Sequence, residues 1–217
     1  MRLPENESRR LKFNRFEIHE EASHSKGPGS LERSPRKLQS FCMIFTETRL
    51  AGAFEIDVEP KADERGLFAR TWCQKEFADR GLKANVVQCS LSFNPRKATL
   101  RGMHFQAAPH GETKVVRCTR GSIYDVVLDL RPESPTFKDW VAIVLSAENR
   151  KTMYVPEGCA HGFLTLEDET EVFYQMAEFH DMEFARGVRF DDPTFQIDWP
   201  EKIEVISERD RNYPNFE

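Results

Sequence analysis

The stretch Ser122-Ile-Tyr-Asp-Val-Val-Leu-Asp-Leu130 decides the class of fold. It is rich in β-branched and aliphatic residues and has the length of a strand rather than of a core helix. Read with a period of two, it sends Tyr124, Val126, Leu128 and Leu130 to one face and Ile123, Asp125, Val127 and Asp129 to the other. Both faces carry apolar side chains. Carboxylates among apolar residues on one face are odd for plain core and suit a polar-lined barrel interior. Similar runs recur outward from this one: Phe54–Val58, Asn85–Phe93, Thr99–Gln106, Lys114–Thr119, Trp140–Leu145, Thr152–Val155, Gly162–Leu166 and Glu171–Met176. Turn signals separate them, among them Asn94-Pro95, Ala108-Pro109, Arg120-Gly121, Ser134-Pro135 and Pro156-Glu157-Gly158. One short helix is predicted over Gln74–Arg80, ended by Gly81. Many short strands with little helix predict an all-β sandwich or barrel.

The chain has 217 residues, enough for one domain with a sizeable core. A net charge of −5 argues against nucleic acid as the main ligand and leaves room for a local basic pocket. No apolar run approaches the roughly 20 residues of a membrane helix, so no membrane partner is expected. Five cysteines without a close C-x-x-C pair point to reduced thiols, mostly in buried apolar roles, and to the cytoplasm. Residues 1–42 read differently from the rest: they carry nine Lys/Arg and six Asp/Glu, include Ser-His-Ser-Lys-Gly-Pro-Gly-Ser30, and have few apolar side chains. Such a segment is expected to be disordered. It reads either as a regulatory or partner-binding arm or as an upstream extension of a protein whose working start is Met43. The second is the expectation, with a single domain over 43–217.

The richest chemistry lies in Thr99-Leu-Arg-Gly-Met-His-Phe-Gln106. A regular strand there puts Gly102, His104 and Gln106 on one face and Arg101, Met103 and Phe105 on the other. An imidazole can take a proton at working pH, although a strand histidine is by default a satisfied structural residue. For Arg101 and His104 to serve one pocket the alternation must break, and Gly102 is where a bulge could do so. A second histidine, His161, follows the turn of Pro156-Glu-Gly-Cys-Ala-His161 and begins a strand. P-x-G-x-x-H occurs in metal-binding cupins, but the H-x-H pair such sites use is missing, and His110 and Glu112 fall on a predicted loop. Two scattered histidines without a carboxylate in place make poor metal ligands, so no metal is expected. Lys114, Tyr174 and Asp210 sit where the pattern expects a strand end, an amphipathic barrel edge and a solvated tail. No Gly-rich phosphate loop, G-x-S-x-G elbow or zinc-type cysteine pair is present in the sequence.

Taken in order, RGMHFQ (101–106), the run 113–137, LSAENRK (145–151), VPEGCAHGF (155–163), DDPTFQIDWP (191–200) and ISERD (206–210) resemble the dTDP-4-dehydrorhamnose 3,5-epimerase family. The likeness runs from about residue 45 to 217. It implies a cupin jelly roll, no metal and no organic cofactor, a nucleotide-diphosphate sugar substrate, and a homodimer in which an arm of one subunit completes its neighbour's pocket. It implies catalytic roles for His104 as base, Asp210 as that base's partner, Tyr174 as acid and Lys114 at the developing enolate. His161 is expected to contact the sugar, Arg65 and Arg101 to grip the diphosphate, Phe68 and Gln88 to lie near the nucleotide, and Arg209, beside Asp210, to bind substrate as well.

The chemistry explains these residue types. A C4 ketone acidifies the hydrogens on C3 and C5; a base removes one, an enolate forms at O4, and an acid on the opposite ring face returns the proton. A cation at that oxygen stabilises it by about 3–4 kcal/mol. The sequence departs from the family pattern at Arg70, Ser90, His180, Ala185 and Arg209. Those departures fall on nucleotide and outer sugar contacts, so the reaction is better specified than the sugar. Other readings to weigh are a 3,4-ketoisomerase, a single-centre epimerase on a different nucleotide sugar, and a non-catalytic nucleotide-sugar-binding cupin.

Overall fold

The computed structural model describes residues 42–83 and 85–216, so the expected disordered extension lies outside the described residues apart from Cys42. In chain order the strands are β1 (Met43–Glu47), β2 (Phe54–Val58), β3 (Lys61–Asp63), β4 (Gly66–Phe68), β5 (Gln88–Asn94), β6 (Thr99–Gln106), β7 (Lys114–Arg120) and β8 (Ser122–Asp129). They continue with β9 (Trp140–Ser146), β10 (Thr152–Val155), β11 (Cys159–Thr165), β12 (Thr170–Met176), β13 (Ala185–Gly187) and β14 (Val205–Ile206). Two short helices complete the set, α1 (Gln74–Ala78) and α2 (Glu208–Arg211).

Two sheets face each other, as the strand count and spacing predict. The first runs β1-β2-β10-β7-β12-β5; the second runs β13-β6-β11-β8-β9, with β14 added in parallel to β6. Between them lie Val116, Met153 and Val172 from the first sheet and Ile123, Val127 and Phe163 from the second. The outer face of the second sheet is also dry. Val126, Leu128 and Met103 pack there against Val188, Phe195 and Trp199 of the C-terminal segment. That covering explains why both faces of Ser122–Leu130 are apolar. On the other side, α1 seals the first sheet by placing Phe77 against Ile56, Val115 and Tyr154.

Some boundaries move. The strand expected from Asn85 starts at Gln88, and the one expected from Gly162 starts at Cys159, so His161 sits inside β11 rather than at its head. Gly158, at φ +79°, closes the turn read from Pro156-Glu157-Gly158, and the strand follows it directly. The buried apolar role expected of the cysteines holds for Cys118 and Cys159, whereas Cys42 and Cys89 are exposed.

The two carboxylates of β8 part company. Asp125 points into the sandwich, as a polar interior requires, but Asp129 ties down the following loop instead. Its carboxylate accepts from Arg131 Nε at 2.8 Å and Nη2 at 2.7 Å, from Thr136 Oγ1 at 2.7 Å, and from Ser134 Oγ at 2.5 Å. Burial opposes ionisation, yet these donors outweigh it and pull the Asp129 carboxyl from 3.8 to about 2. Because the folded value lies below the unfolded one, the stabilisation is present above pH ~4 and is lost as pH falls toward ~2. Asp129→Asn is therefore expected to cost about 2 kcal/mol near neutral pH. Thermal melts of parent and variant should converge as the pH drops through that window. A gap of constant size would contradict this account.

Candidate active site

The site is built around an irregularity in β6. In the pairing of β6 with β11, His104 lies opposite His161 and Arg101 opposite Phe163, so β6 spends one more residue than its partner over the same distance. Gly102 takes φ +134°, and a Cβ there would lie 2.5 Å from the Cα of Gly162. Only a glycine tolerates both conditions. The bulge turns Arg101 and His104 to the same side, where both line a cavity of about 510 Å³ between the two sheets. The parity conflict read in the sequence is resolved where Gly102 was expected to resolve it.

His104 is partly open to this cavity, with 41% of its side chain exposed, and its Nε2 lies 2.7 Å from Asp210 Oδ1. Asp210 is buried rather than a solvated tail residue. It sits on α2, whose first turn is capped by Ser207 Oγ accepting from Asp210 N at 3.0 Å. Its Oδ2 accepts from Gly102 N at 3.2 Å. Burial alone would raise the Asp210 carboxyl, but the bonds from His104 and Gly102 prevail and hold it below the usual carboxylate range. An ionised Asp210 orients the imidazole through one ring nitrogen and leaves the other to take a proton.

Lys114, at the start of β7, is buried, and its Nζ donates to the carbonyl of His104 at 3.2 Å. It also lies 2.8 Å from Glu112 Oε1. Next to His104 on the sheet, His161 is buried with its Nε2 2.7 Å from Asp125 Oδ1. Each histidine thus has a carboxylate partner. The fully buried Asp125 carboxyl is raised by burial, and its Oδ2 has no hydrogen-bond partner. Tyr174 projects from β12 in the opposing sheet, its ring perpendicular to that of His161 with centroids 6.3 Å apart. Its hydroxyl is 3.4 Å from Ser92 Oγ, and burial pushes the phenol well above its ordinary value. A phenol held protonated in this way can donate.

The lining is strongly basic. Arg101, Arg186 and Arg209 line the cavity with Lys114. Arg101 is steered by a fully buried amide, its Nε donating to Asn94 Oδ1 at 2.7 Å. Gln88 lines the cavity and accepts from His180 N at 2.6 Å. Four of the five departures from the family pattern, Ser90, His180, Ala185 and Arg209, line it as well, whereas Arg70 pairs with Glu76 at 2.7 Å. Arg65 and Phe68 are not brought to this cavity. They lie on the hairpin of β3 and β4, Arg65 84% exposed beside Asp63 and Phe68 65% exposed.

Sequence reasoning missed several of these groups. Asp125 was visible as an odd carboxylate, but its partner is 36 residues away. Asn94 read only as a turn residue, and Glu112 only as a loop carboxylate. Arg186 sits on a strand of three residues, too short to leave a periodic trace.

Comparison with known proteins agrees with this geometry. A sequence model of the dTDP-4-dehydrorhamnose 3,5-epimerase family matches residues 47–217. The chain is 44% identical over 173 residues to the dTDP-4-dehydrorhamnose 3,5-epimerase of Methanothermobacter thermautotrophicus, spanning 78% of this chain and 92% of that one. It is 41% identical over 161 residues to the Shigella flexneri enzyme of the same name, spanning 73% and 88%. The crystal structure of the Bacillus anthracis dTDP-4-dehydrorhamnose 3,5-epimerase with TDP and PPi bound superposes with a TM-score of 0.78 at 36% identity, covering 81% of this chain and all of that one. The chain, a jelly roll of the cupin type, belongs to the dTDP-4-dehydrorhamnose 3,5-epimerase family.

Proposed function

We propose that this protein is an isomerase that epimerises a dTDP-linked 4-keto-6-deoxy sugar by proton abstraction beside the C4 ketone. The observation that carries the reading is the placement of two proton-handling groups on opposing sheets. The His104–Asp210 pair lies on the second sheet, and Tyr174 on the first. A sugar ring between them meets a base on one face and an acid on the other, as inversion requires. His104 takes the proton from the carbon next to the ketone, and Asp210 stabilises the resulting imidazolium. Lys114 faces the developing O4 anion, worth about 3–4 kcal/mol as a preorganised donor. His161, held by Asp125, contacts the sugar. Tyr174 returns a proton to the opposite face.

Arg101 and Arg209 take the diphosphate, and Gln88 lies toward the nucleotide. Arg65 and Phe68 serve the same end from the neighbouring subunit of a homodimer: they sit on an exposed hairpin and away from their own cavity. The reaction is redox-neutral and needs neither an organic cofactor nor a metal. It belongs to dTDP-rhamnose and polysaccharide biosynthesis in the cytoplasm.

The test is incubation with dTDP-4-keto-6-deoxyglucose in deuterated water, followed by NMR. Deuterium at both C3 and C5 with inverted product is the expected result. Exchange confined to C3 makes the protein a single-centre epimerase, and a 3-keto product makes it a 3,4-ketoisomerase. Binding without exchange makes it a nucleotide-sugar-binding cupin and overturns the catalytic reading.

A further inference from the structure

Glu112 stands out against the charge of the cavity. It is the one carboxylate among the described residues that line it, facing Arg101, Lys114, Arg186 and Arg209. In a cavity for a diphosphate a negative side chain opposes binding. It is tolerated where a cation needs it. The cation here is Lys114: the two side chains are 9% and 10% exposed, and Glu112 Oε1 lies 2.8 Å from Lys114 Nζ.

The ammonium has three donors on a flexible four-carbon stem. One is used on the carbonyl of His104 at 3.2 Å, and the ammonium is held in an ion pair with Glu112 at 2.8 Å. A single anchor would let the charge swing about the stem; two anchors leave the third donor one direction. The first anchor ties the ammonium to the backbone of the base itself, and the second comes from a loop that is fastened at both ends. Gln106 Nε2 donates to His110 O at 2.9 Å, and Ala177 N donates to Thr113 O at 3.0 Å.

We propose that Glu112 is a positioning residue that aims the free donor of Lys114 at the oxygen on which negative charge develops. The inference rests on the epimerase reading above, in which that oxygen is O4 of the sugar. Glu112 opposes the diphosphate rather than holding it, so its removal lowers turnover without weakening nucleotide binding.

The isosteric Glu112→Gln variant tests this, alone and combined with Lys114→Ala, in the full-length protein. Glu112→Gln should lower the rate of deuterium wash-in at saturating dTDP-4-keto-6-deoxyglucose about 10- to 100-fold, while the Kd for dTDP stays the same or tightens. In the Lys114→Ala background the same substitution should change the rate by less than about twofold, because its target is gone. A loss of equal size in both backgrounds, an unchanged rate in Glu112→Gln, or a weaker Kd for dTDP at unchanged rate would each overturn the proposal. A full rate in Lys114→Ala alone would remove Lys114 from the mechanism and this inference with it. A full rate in Glu112→Gln beside a slow Lys114→Ala removes only Glu112.

Discussion

His104→Ala should abolish solvent deuterium exchange into the sugar, with the rate falling by about 10²- to 10⁴-fold. The variant should keep the fold, because the side chain it truncates is already 41% exposed. Asp210 is not stranded in this variant, since its carboxylate keeps the Gly102 N–H at 3.2 Å. Melting temperature and dTDP affinity should therefore stay close to those of the parent while exchange disappears. Asp210→Asn should move the rate in the same direction, because a neutral amide no longer stabilises the imidazolium. Exchange at full rate in His104→Ala would remove His104 as the base.

The largest expected effect on stability lies one strand away. His161→Ala leaves Asp125 in the interior without its partner, and breaking such a pair costs about 3–5 kcal/mol. The sign of the pH dependence identifies the cause. Burial already raises the Asp125 carboxyl, and losing the imidazole removes the charge and hydrogen bond that oppose the rise. A carboxyl with a raised folded pKa is most stabilised while protonated, below its unfolded value, and that stability is lost as pH rises through the folded pKa. The deficit of His161→Ala should therefore shrink on acidification starting from neutral pH, whereas the Asp129→Asn deficit is lost only below about pH 4. Adding Asp125→Asn should recover part of the loss at pH 7. Melts of the two variants between pH 7 and 5 decide the matter: a deficit that grows on acidification would place the damage in lost packing instead.

Local pattern made the strands legible wherever alternation was strong. Thr99–Gln106 and Thr152–Val155 match their observed bounds, and the bulge could be inferred because Arg101 and His104 have opposite parity. The hairpin of β3 and β4 and the strands β13 and β14 went unread because two or three residues carry no period. The site was legible only as residue types. Nothing local joins His104 to Asp210, 106 residues later, on a four-residue helix that the pattern took for a tail. Those links came through the family resemblance. Where the chain differs from the family, at His180 or Arg209, only the resemblance pointed to substrate contacts, and both residues line the cavity.

The extra residue at Gly102 also shifts the phase of β6. Upstream of it Arg101 faces the cavity; downstream His104 and Gln106 do. Two tasks, gripping an anion and moving a proton, are thereby written on one strand in two reading frames joined at a single glycine. Neither frame can slip without turning the other's working side chain into the opposite layer. The anion grip and the proton-transfer group are thus inherited as a unit, and substrate preference is left to vary on the loops and edges around them.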